Sequence, residues 1–213
     1  MVQQARFIAF EGGEGAGKTT IMRRLEGFLA DERVPALFTR EPGGTPEGRE
    51  LRQMLLTGET GRWSAEAETL LMLADRIQHI HKVIRPSLAE GRHVISDRYV
   101  FSTLAYQGAA RGVSRKLVLD LHRDLCGDLW PDLTVVLDVD PAVGLARSER
   151  RMAAAASTED RFEKFGLTFH ETVRAAFRDL AMEYPERAVL IDTARPLDEV
   201  CQSVQAALSP LLT

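Results

Sequence analysis

The chain is poor in the residues that mark several classes of protein. Asparagine is absent from all 213 residues, so the sequence has no acceptor for N-glycosylation. Cysteine occurs only as Cys126 and Cys201, and neither has the CxxC or Cys/His spacing of a metal site. These features favour two reduced thiols packed inside a cytoplasmic protein.

Long apolar segments and an excess of positive charge are missing as well. No segment approaches the roughly 18 uninterrupted apolar residues of a membrane helix, and no charged-then-apolar leader opens the sequence. The net charge is −4, from 27 lysines and arginines against 31 aspartates and glutamates. We therefore predict neither a membrane nor a nucleic-acid partner.

The remaining composition is typical of a globular α/β protein. Hydrophobic residues make up 45% of the chain and charged residues 27%, and the length predicts one domain over residues 1–213. Helical spacing alternates with short apolar segments at 5–10, 34–39, 93–96, 133–139 and 188–192. This alternation predicts a mainly parallel sheet with helices on both faces.

Two of the predicted helices have a clear apolar face. In residues 18–31 this face comprises Ile21, Leu25, Phe28 and Leu29. In residues 66–89 the apolar positions recur at steps of three and four: Leu70, Leu71, Leu73, Ile77, Ile80 and Ile84. Pro86 and Gly91 are expected to end the second helix before the third strand.

One segment differs from the rest of the pattern. Residues 146–162 are polar and rich in arginine, with four alanines in the middle. We interpret this segment as a mobile helical flap or a surface helix, outside the sheet, and call it the predicted lid.

Residues 7 to 20 read FIAFEGGEGAGKTT, a predicted strand, a glycine-rich turn and the start of a helix. Residues 12–19 have the spacing G-x-x-x-x-G-K-T, which is typical of a phosphate-binding loop. Its glycines let backbone N–H groups converge on phosphate oxygens, and the helix adds the positive end of its dipole. Lys18 is expected to reach the β- and γ-phosphates and Thr19 to bind Mg²⁺. A simple glycine-rich turn is the alternative, but strand, spacing and helix all favour the phosphate loop.

A phosphate loop alone is compatible with a switch GTPase, an ATP-driven motor or a small-molecule kinase. The chain is short for a motor, and it lacks the asparagine- or threonine-led lysine–aspartate motif of a common guanine-specific switch. A kinase needs a second anion site facing the first. Arg40 and Arg52, after the second strand, and Arg98, after the third, are candidates for it.

Two aspartates at strand ends are candidate metal carboxylates. Asp97 ends the third strand and would hold Mg²⁺ through water, with a helix cap as the alternative role. Asp138 ends the fourth strand, but Pro141 after it favours a helix cap there. The histidines show no ligand or dyad pattern.

Five segments in register resemble the bacterial thymidylate kinase family: TREPGGT (39–45), LADRIQ (73–78), SDRYVFSTLAYQG (96–108), PDLTVVLDV (131–139) and DRFE (160–163). The resemblance extends from Phe7 to about Val200. It implies a P-loop NTPase fold with a five-stranded parallel sheet and a short arginine-rich lid. It also implies transfer of the γ-phosphoryl group from ATP to dTMP with Mg²⁺, in a protein that is usually a homodimer.

The resemblance also implies a role for individual residues. Glu14 would lie near the acceptor's sugar and the metal, and Lys18, Glu14 and Arg98 would take part in catalysis. ATP would bind Gly12, Gly13, Glu14, Gly15, Ala16, Gly17, Lys18 and Thr19, with Arg195 near adenine unless it is an ordinary surface arginine. The dTMP site would comprise Pro42, Arg52, Met72, Arg76, Arg98, Thr103, Tyr106 and Gln107. Of these, Arg52 and Arg98 would hold the phosphate, Arg76 the thymine edge, and Tyr106 would crowd a 2′-hydroxyl.

Some relatives carry a catalytic arginine in the phosphate loop, at the position of Gly15. The compensating charge must then come from the predicted lid, with its arginines Arg147, Arg150, Arg151 and Arg161. We expect Arg151 to be catalytic, and Arg161 is the second choice. The alternative is a solvated helix face with local pairs to Glu149 and Glu159.

At one position the chain departs from the family pattern. Met72 occupies the place of a phenylalanine that stacks on thymine, and methionine lacks a flat face. We expect weaker dTMP binding or tolerance of a modified pyrimidine. A kinase of the same fold with another pyrimidine acceptor, and a regulatory ATP- or GTP-binding module with none, remain as alternatives.

Overall fold

The protein is described by a computed structural model that covers residues 4–155 and 158–212. Its centre is a five-stranded sheet in the order β2-β3-β1-β4-β5, and every neighbouring pair is parallel. The strands are β1 (Phe7–Glu11), β2 (Ala36–Arg40), β3 (His93–Asp97), β4 (Leu133–Asp138) and β5 (Ala188–Asp192). The predicted parallel sheet is therefore confirmed, with strand boundaries shifted by a few residues at most.

Helices connect all of these strands. They are α1 (Lys18–Asp31), α2 (Pro46–Leu56), α3 (Ala65–His79), α4 (Arg85–Ala89), α5 (Val100–Thr103), α6 (Arg115–Cys126), α7 (Pro141–Ala155), α8 (Leu167–Glu183) and α9 (Leu197–Leu212). A 3₁₀ turn covers Thr60–Arg62, and wider π-helical turns cover Ile80–Ile84 and Leu104–Ala109. None of the helices in the described ranges is long and apolar enough to cross a membrane.

The alternation of side chains along β1 divides the core into two layers. Phe7 packs into a cluster with α3, α5, α6 and α8, whereas Ile8 and Phe10 pack on the opposite face against α1 and α9. The apolar face predicted for residues 18–31 is confirmed, since Ile21 and Leu25 are buried in α1.

The second predicted helix is correct in extent, and its apolar face is confirmed in part, since Leu73, Ile80 and Ile84 are buried. Residues 65–89 form α3, a π-helical turn and α4 in succession, and Leu70 is 54% exposed. The buried side of α3 instead combines Leu73 with polar residues, among them Glu68 and Arg76. Hydrophobic periodicity misplaced Leu70, because charged side chains occupy much of the buried face of α3.

The predicted lid is only partly a surface segment. Helix α7 includes its first residues, 146–155, and residues 156–157 lie outside the described part of the chain. At its end, Arg161 and Phe162 are buried, and Arg161 N donates to Leu56 O at 3.1 Å. These last residues are therefore part of the interior, because they pack against the loop after α2.

The parallel strands bring several polar groups to one edge of the sheet. The phosphate loop follows β1, Glu41 follows β2, and Asp97 and Arg98 lie where β3 ends. Ligands of open α/β sheets bind at this carboxyl edge.

Candidate active site

The phosphate loop has the backbone conformation that its glycines make possible. Gly12, Gly15 and Gly17 have φ values of 137°, 65° and 94°. A Cβ on Gly15 would collide with the backbone of Gly144 in α7, so this position has no room for the arginine that some relatives carry. The loop packs against α7 through this pair of glycines.

Lys18 begins α1 and points back into the loop. Its Nζ donates to Gly12 O at 2.9 Å and to Gly13 O at 3.2 Å. Burial and the nearby charge of Arg98 lower the pKa of Lys18 to about 8. The ammonium group is thus charged at neutral pH and lies where an anion would bind on the loop.

Glu14, Arg98 and Tyr106 form a cluster beside the loop. Glu14 Oε1 accepts from Arg98 Nη2 at 2.9 Å and from Tyr106 Oη at 2.8 Å. Burial opposes ionisation of Glu14, but the charges of Arg98 and Lys18 outweigh it and lower the pKa to about 2. Arg98 has a φ of 74° and also donates to Gly12 O at 3.0 Å, so it links this carboxylate to the loop.

Asp97 lies in the same groove as Lys18 and Thr19. Its Oδ1 is buried and accepts no hydrogen bond within residues 4–155 and 158–212, which suits a carboxylate that binds a metal through water. Thr19 is exposed to the groove. No group of three or more metal-ligating side chains exists in those ranges, but Mg²⁺ at a nucleotide needs only one or two carboxylates besides the phosphates.

Asp138 is neither a metal site nor a helix cap. Its carboxylate accepts from Arg174 Nε at 2.7 Å and from Arg178 Nη1 at 2.7 Å, both on α8. The start of α7 is instead bound by Asp140, whose Oδ1 accepts from Ala142 N at 2.9 Å. Both interpretations of Asp138 were therefore wrong, because its partners come from a distant helix.

A cavity of about 160 Å³ lies next to the loop and contains every residue that the sequence assigned to the acceptor site. It is lined by Pro42, Arg52, Met72, Arg76, Arg98, Thr103, Tyr106 and Gln107. We call it the acceptor cavity. Residues that the sequence analysis did not single out for the site also line it, including Glu41, Asp75 and Glu159.

A larger groove of about 700 Å³ lies over the phosphate loop and contains Lys18, Asp97 and Arg195. Some residues line both the groove and the acceptor cavity: Glu14, Glu41, Arg52, Arg98 and Arg151. The two sites therefore share a boundary that is rich in guanidinium groups. Such a boundary can hold phosphate groups from two sides.

The predicted lid arginines are not equivalent in the structure. Arg151 lines both sites, and its Nη2 donates to Ser148 Oγ at 2.7 Å. Arg147 lines the groove, whereas Arg150 is exposed and lines neither site.

Arg161 has no access to either site. It is fully buried, and its guanidinium donates to the carbonyls of Leu55, Glu59 and Thr60 at 3.0 to 3.1 Å. It also forms an ion pair with Glu68. This geometry does not support the catalytic role expected for Arg161, because its donors are committed to the loop after α2.

A chain of buried polar contacts lies behind Arg76. Thr39 Oγ1 bonds His79 Nε2 at 2.7 Å, and His79 Nδ1 bonds Glu41 Oε1 at 2.8 Å. Arg76 Nε donates to Glu41 Oε2 at 2.8 Å, and Arg76 Nη2 donates to Thr103 Oγ1 at 3.0 Å. Sequence reasoning missed Glu41 and His79. Glu41 lies within the TREPGGT motif and His79 directly follows the LADRIQ motif, but their contact depends on the fold.

Two further buried carboxyl groups border the site. Burial raises the pKa of Glu11 to about 7, although Glu11 accepts hydrogen bonds from Ser102 and Tyr99 N. Burial and the charge of Glu41 raise the pKa of Asp75 to about 7, and Asp75 Oδ1 accepts from Gly43 N at 3.0 Å.

A phosphate loop and an arginine-lined cavity that meet at the carboxyl edge of a parallel sheet define a P-loop nucleoside monophosphate kinase. A family model described as "Thymidylate kinase" matches residues 10–204. The chain belongs to the thymidylate kinase family.

Full-length relatives agree with this assignment. The chain is 50% identical over 212 residues to a protein named "Thymidylate kinase" from Cereibacter sphaeroides, covering 100% of this chain and 98% of the relative. It is 48% identical over 209 residues to the protein of that name from Dinoroseobacter shibae, covering 98% and 99%. A similar protein from Thermomicrobium roseum is 47% identical over 206 residues, covering 97% and 95%.

Proposed function

We propose that this protein transfers the γ-phosphoryl group of ATP to dTMP, giving ADP and dTDP, in the cytoplasm. The observation that carries the proposal is the shared boundary: Arg52, Arg98 and Arg151 line both the groove and the acceptor cavity. A phosphate in each site would then meet the other at these arginines. The names of the full-length relatives support dTMP as the acceptor.

ATP would bind in the groove over the phosphate loop. Its phosphates would receive the loop's backbone N–H groups and the helix dipole of α1, while Lys18 leaves its carbonyl partners for the β- and γ-phosphates. Arg195 lines the same groove in the loop between β5 and α9, which suits a contact near the base.

Mg²⁺ fits beside Asp97 and Thr19. The buried Oδ1 of Asp97 would hold a metal-bound water, and the Thr19 hydroxyl would be a direct ligand. The ion, when bound, neutralises charge on the phosphate oxygens.

dTMP would bind in the acceptor cavity with its phosphate at the shared boundary. Arg98 is held by Glu14 and Gly12 O, and Arg52 by Pro42 O at 3.0 Å and by Glu159, which the phosphate would have to replace as a partner of Arg52. Tyr106 Oη is held by Glu14, where it would crowd a ribose 2′-hydroxyl and favour deoxyribose.

The chemical step needs alignment and charge neutralisation rather than a protein nucleophile. Lys18, Arg98 and Arg151 supply positive charge at the boundary where the phosphoryl group would transfer. Arg151 is on α7, so it would complete the site from a different element than Arg98, which follows β3. Replacing it should lower kcat with little effect on thermal stability, since it is largely exposed.

A homodimer is also part of the proposal. Large apolar side chains are exposed on the adjacent helices α3 and α6: Leu70 at 54%, Leu117 at 44% and Leu125 at 49%. Exposed apolar residues on two neighbouring helices favour an interface. Sedimentation should show a dimer that Leu70→Glu weakens; a wild-type protein that stays monomeric at high concentration would contradict this part.

The test of function is ADP release with a panel of nucleoside monophosphates at saturating Mg-ATP. dTMP should give the highest kcat/KM, and Arg98→Ala should abolish acceptor-dependent turnover. Arg92→Ala, which removes an exposed arginine paired with Glu90, is the matched control and should be normal. Preference for UMP, dUMP or a modified thymidylate would reject dTMP. ATP hydrolysis that no acceptor stimulates would reject the kinase.

A further inference from the structure

Glu68 is a buried carboxylate next to the acceptor cavity, and it does not line the cavity itself. It lies in the first turns of α3 and has no exposed surface. Arg111 Nη1 approaches its Oε2 at 2.8 Å, and Arg161 also pairs with Oε2. Its other oxygen, Oε1, accepts from Gln107 Nε2 at 2.8 Å.

The charge of Glu68 determines which end of the Gln107 amide faces it. A carboxylate between two guanidinium groups only accepts hydrogen bonds, so the NH₂ end of the amide must point toward it. The orientation of the amide, which is often ambiguous, is therefore set by chemistry here. Gln107 lines the acceptor cavity, whereas Glu68 does not. The oxygen end of the Gln107 amide, its own Oε1, is therefore the end available to a ligand.

Arg76 provides the complementary group in the same cavity. Its guanidinium only donates, and it is held in place by Glu41 and Thr103. The cavity thus presents a fixed donor and a fixed acceptor. Thymine and uracil have an O4 acceptor beside an N3–H donor, which this pair matches. Cytosine has an amino donor beside an N3 acceptor, which mismatches both.

We propose that Glu68 is a positioning residue that sets base selectivity through Gln107. By holding the amide NH₂, it makes Gln107 present an acceptor, so the enzyme takes pyrimidines with an N3–H and rejects cytosine. The proposal rests on the proposed function. It also gives Arg161 a role, since this arginine, together with Arg111, keeps a buried negative charge in place.

The test is Glu68→Gln, which keeps the shape but can donate. A donor at this position permits the Gln107 amide to rotate and present NH₂ to the cavity. We expect the ratio of kcat/KM for dTMP to that for dCMP to fall by about tenfold or more, while the KM for ATP stays within about twofold. A merely structural role would lower stability without changing this ratio.

The matched control is Arg111→Met, which weakens the same cluster but leaves the Gln107 partner unchanged. It should lower Tm while the dTMP/dCMP ratio stays at the wild-type value. If both variants fold and have the same ratio as the wild type, the proposal is overturned. If the ratio shifts equally in both, Glu68 acts through general loosening of the cavity, which also overturns it.

A measurement on the wild-type protein covers the case in which Glu68→Gln does not fold. N3-methyl-dTMP replaces the N3–H donor with a methyl group that also adds bulk at this edge, so its KM should exceed that of dTMP by about tenfold or more. The side-chain ¹⁵N–¹H signals of Gln107 should be protected from hydrogen exchange without ligand. Exchange at the rate of an exposed amide would overturn the proposal. Good dTMP turnover with an unshifted ratio rejects only this inference, whereas no dTMP turnover rejects the proposed function.

Discussion

Replacing Glu159 by glutamine should strengthen binding of the acceptor. Glu159 lies close to the predicted lid's end and receives three contacts from Arg52: Nε to both carboxylate oxygens at 3.2 and 3.0 Å, and Nη2 to Oε2 at 2.7 Å. Arg52 is one of the arginines proposed to hold the dTMP phosphate. A carboxylate therefore occupies the guanidinium face that the phosphate needs, and dTMP must displace it.

The magnitude follows from the exposure of this ion pair. The side chains of Arg52 and Glu159 are 24% and 37% exposed, so solvent screens their attraction. Partly exposed pairs of this kind contribute about 0.2 to 1 kcal/mol. Loss of that competition should lower the KM for dTMP by about 1.5- to 5-fold, because 1.4 kcal/mol corresponds to a factor of ten. Glutamine keeps the size of the side chain but gives a weaker partner for arginine.

The assay is initial-rate ADP release with varied dTMP at saturating Mg-ATP, at low and high ionic strength. The difference between Glu159→Gln and wild type should shrink as salt rises, since screening weakens the pair in the wild type. Glu183→Gln is the matched control: it removes a carboxylate from a similar exposed pair with Arg115, away from both sites. A dTMP KM that is unchanged or higher in Glu159→Gln at low salt would refute the competition.

Three other changes test separate parts of the site. Lys18→Ala should lower kcat by about 100-fold or more, since the ammonium meets charge that grows in the transition state, and a near-normal kcat in the same assay would refute this role. Met72→Phe should lower the KM for dTMP if stacking on the base is what the cavity lacks; an equal or higher KM counts against it. Asp75→Asn should flatten the pH dependence of unfolding. Burial and the charge of Glu41 raise the Asp75 pKa from 3.8 to about 7, so the folded state binds more protons and loses stability as pH rises between these values. Denaturant titrations at pH 4.5 to 7.5 should show a wild-type slope steeper by at most about 1.4 kcal/mol per pH unit, and parallel profiles would contradict the assignment.

The parts of this fold that could be predicted are those governed by local pattern. The phosphate loop combines strand, glycine spacing and helix within a short segment, and its conformation follows from those residues alone. The alternation of predicted strands with predicted helices likewise indicated a parallel sheet. The eight acceptor-site residues were predicted through a family resemblance, and they do line one cavity.

Helix α3 shows where the pattern becomes uninformative. Hydrophobic periodicity assumes that buried positions are apolar, and Leu70 was placed in the core on that basis. Besides Leu73, the buried face of α3 includes Glu68, Arg76 and His79, each paired with a side chain from another segment. Polar residues can be buried when they are paired. The partners here come from distant segments, so the sequence alone does not reveal the pairs.

Arg151 and Arg161 illustrate the same limit at the level of function. Both are arginines of one polar segment, so the sequence made both of them candidates for the catalytic arginine. What separates them is the partner: Arg151 faces two cavities, whereas Arg161 meets Glu68 on α3 and three backbone carbonyls. A guanidinium whose three nitrogens all contact buried acceptors cannot neutralise a phosphate without breaking those contacts, and Glu68 would then lose one of its two arginine partners in the interior. We therefore expect the demand for charge in the transition state to fall on Arg151, and Arg161 to act only indirectly, through its buried partner Glu68.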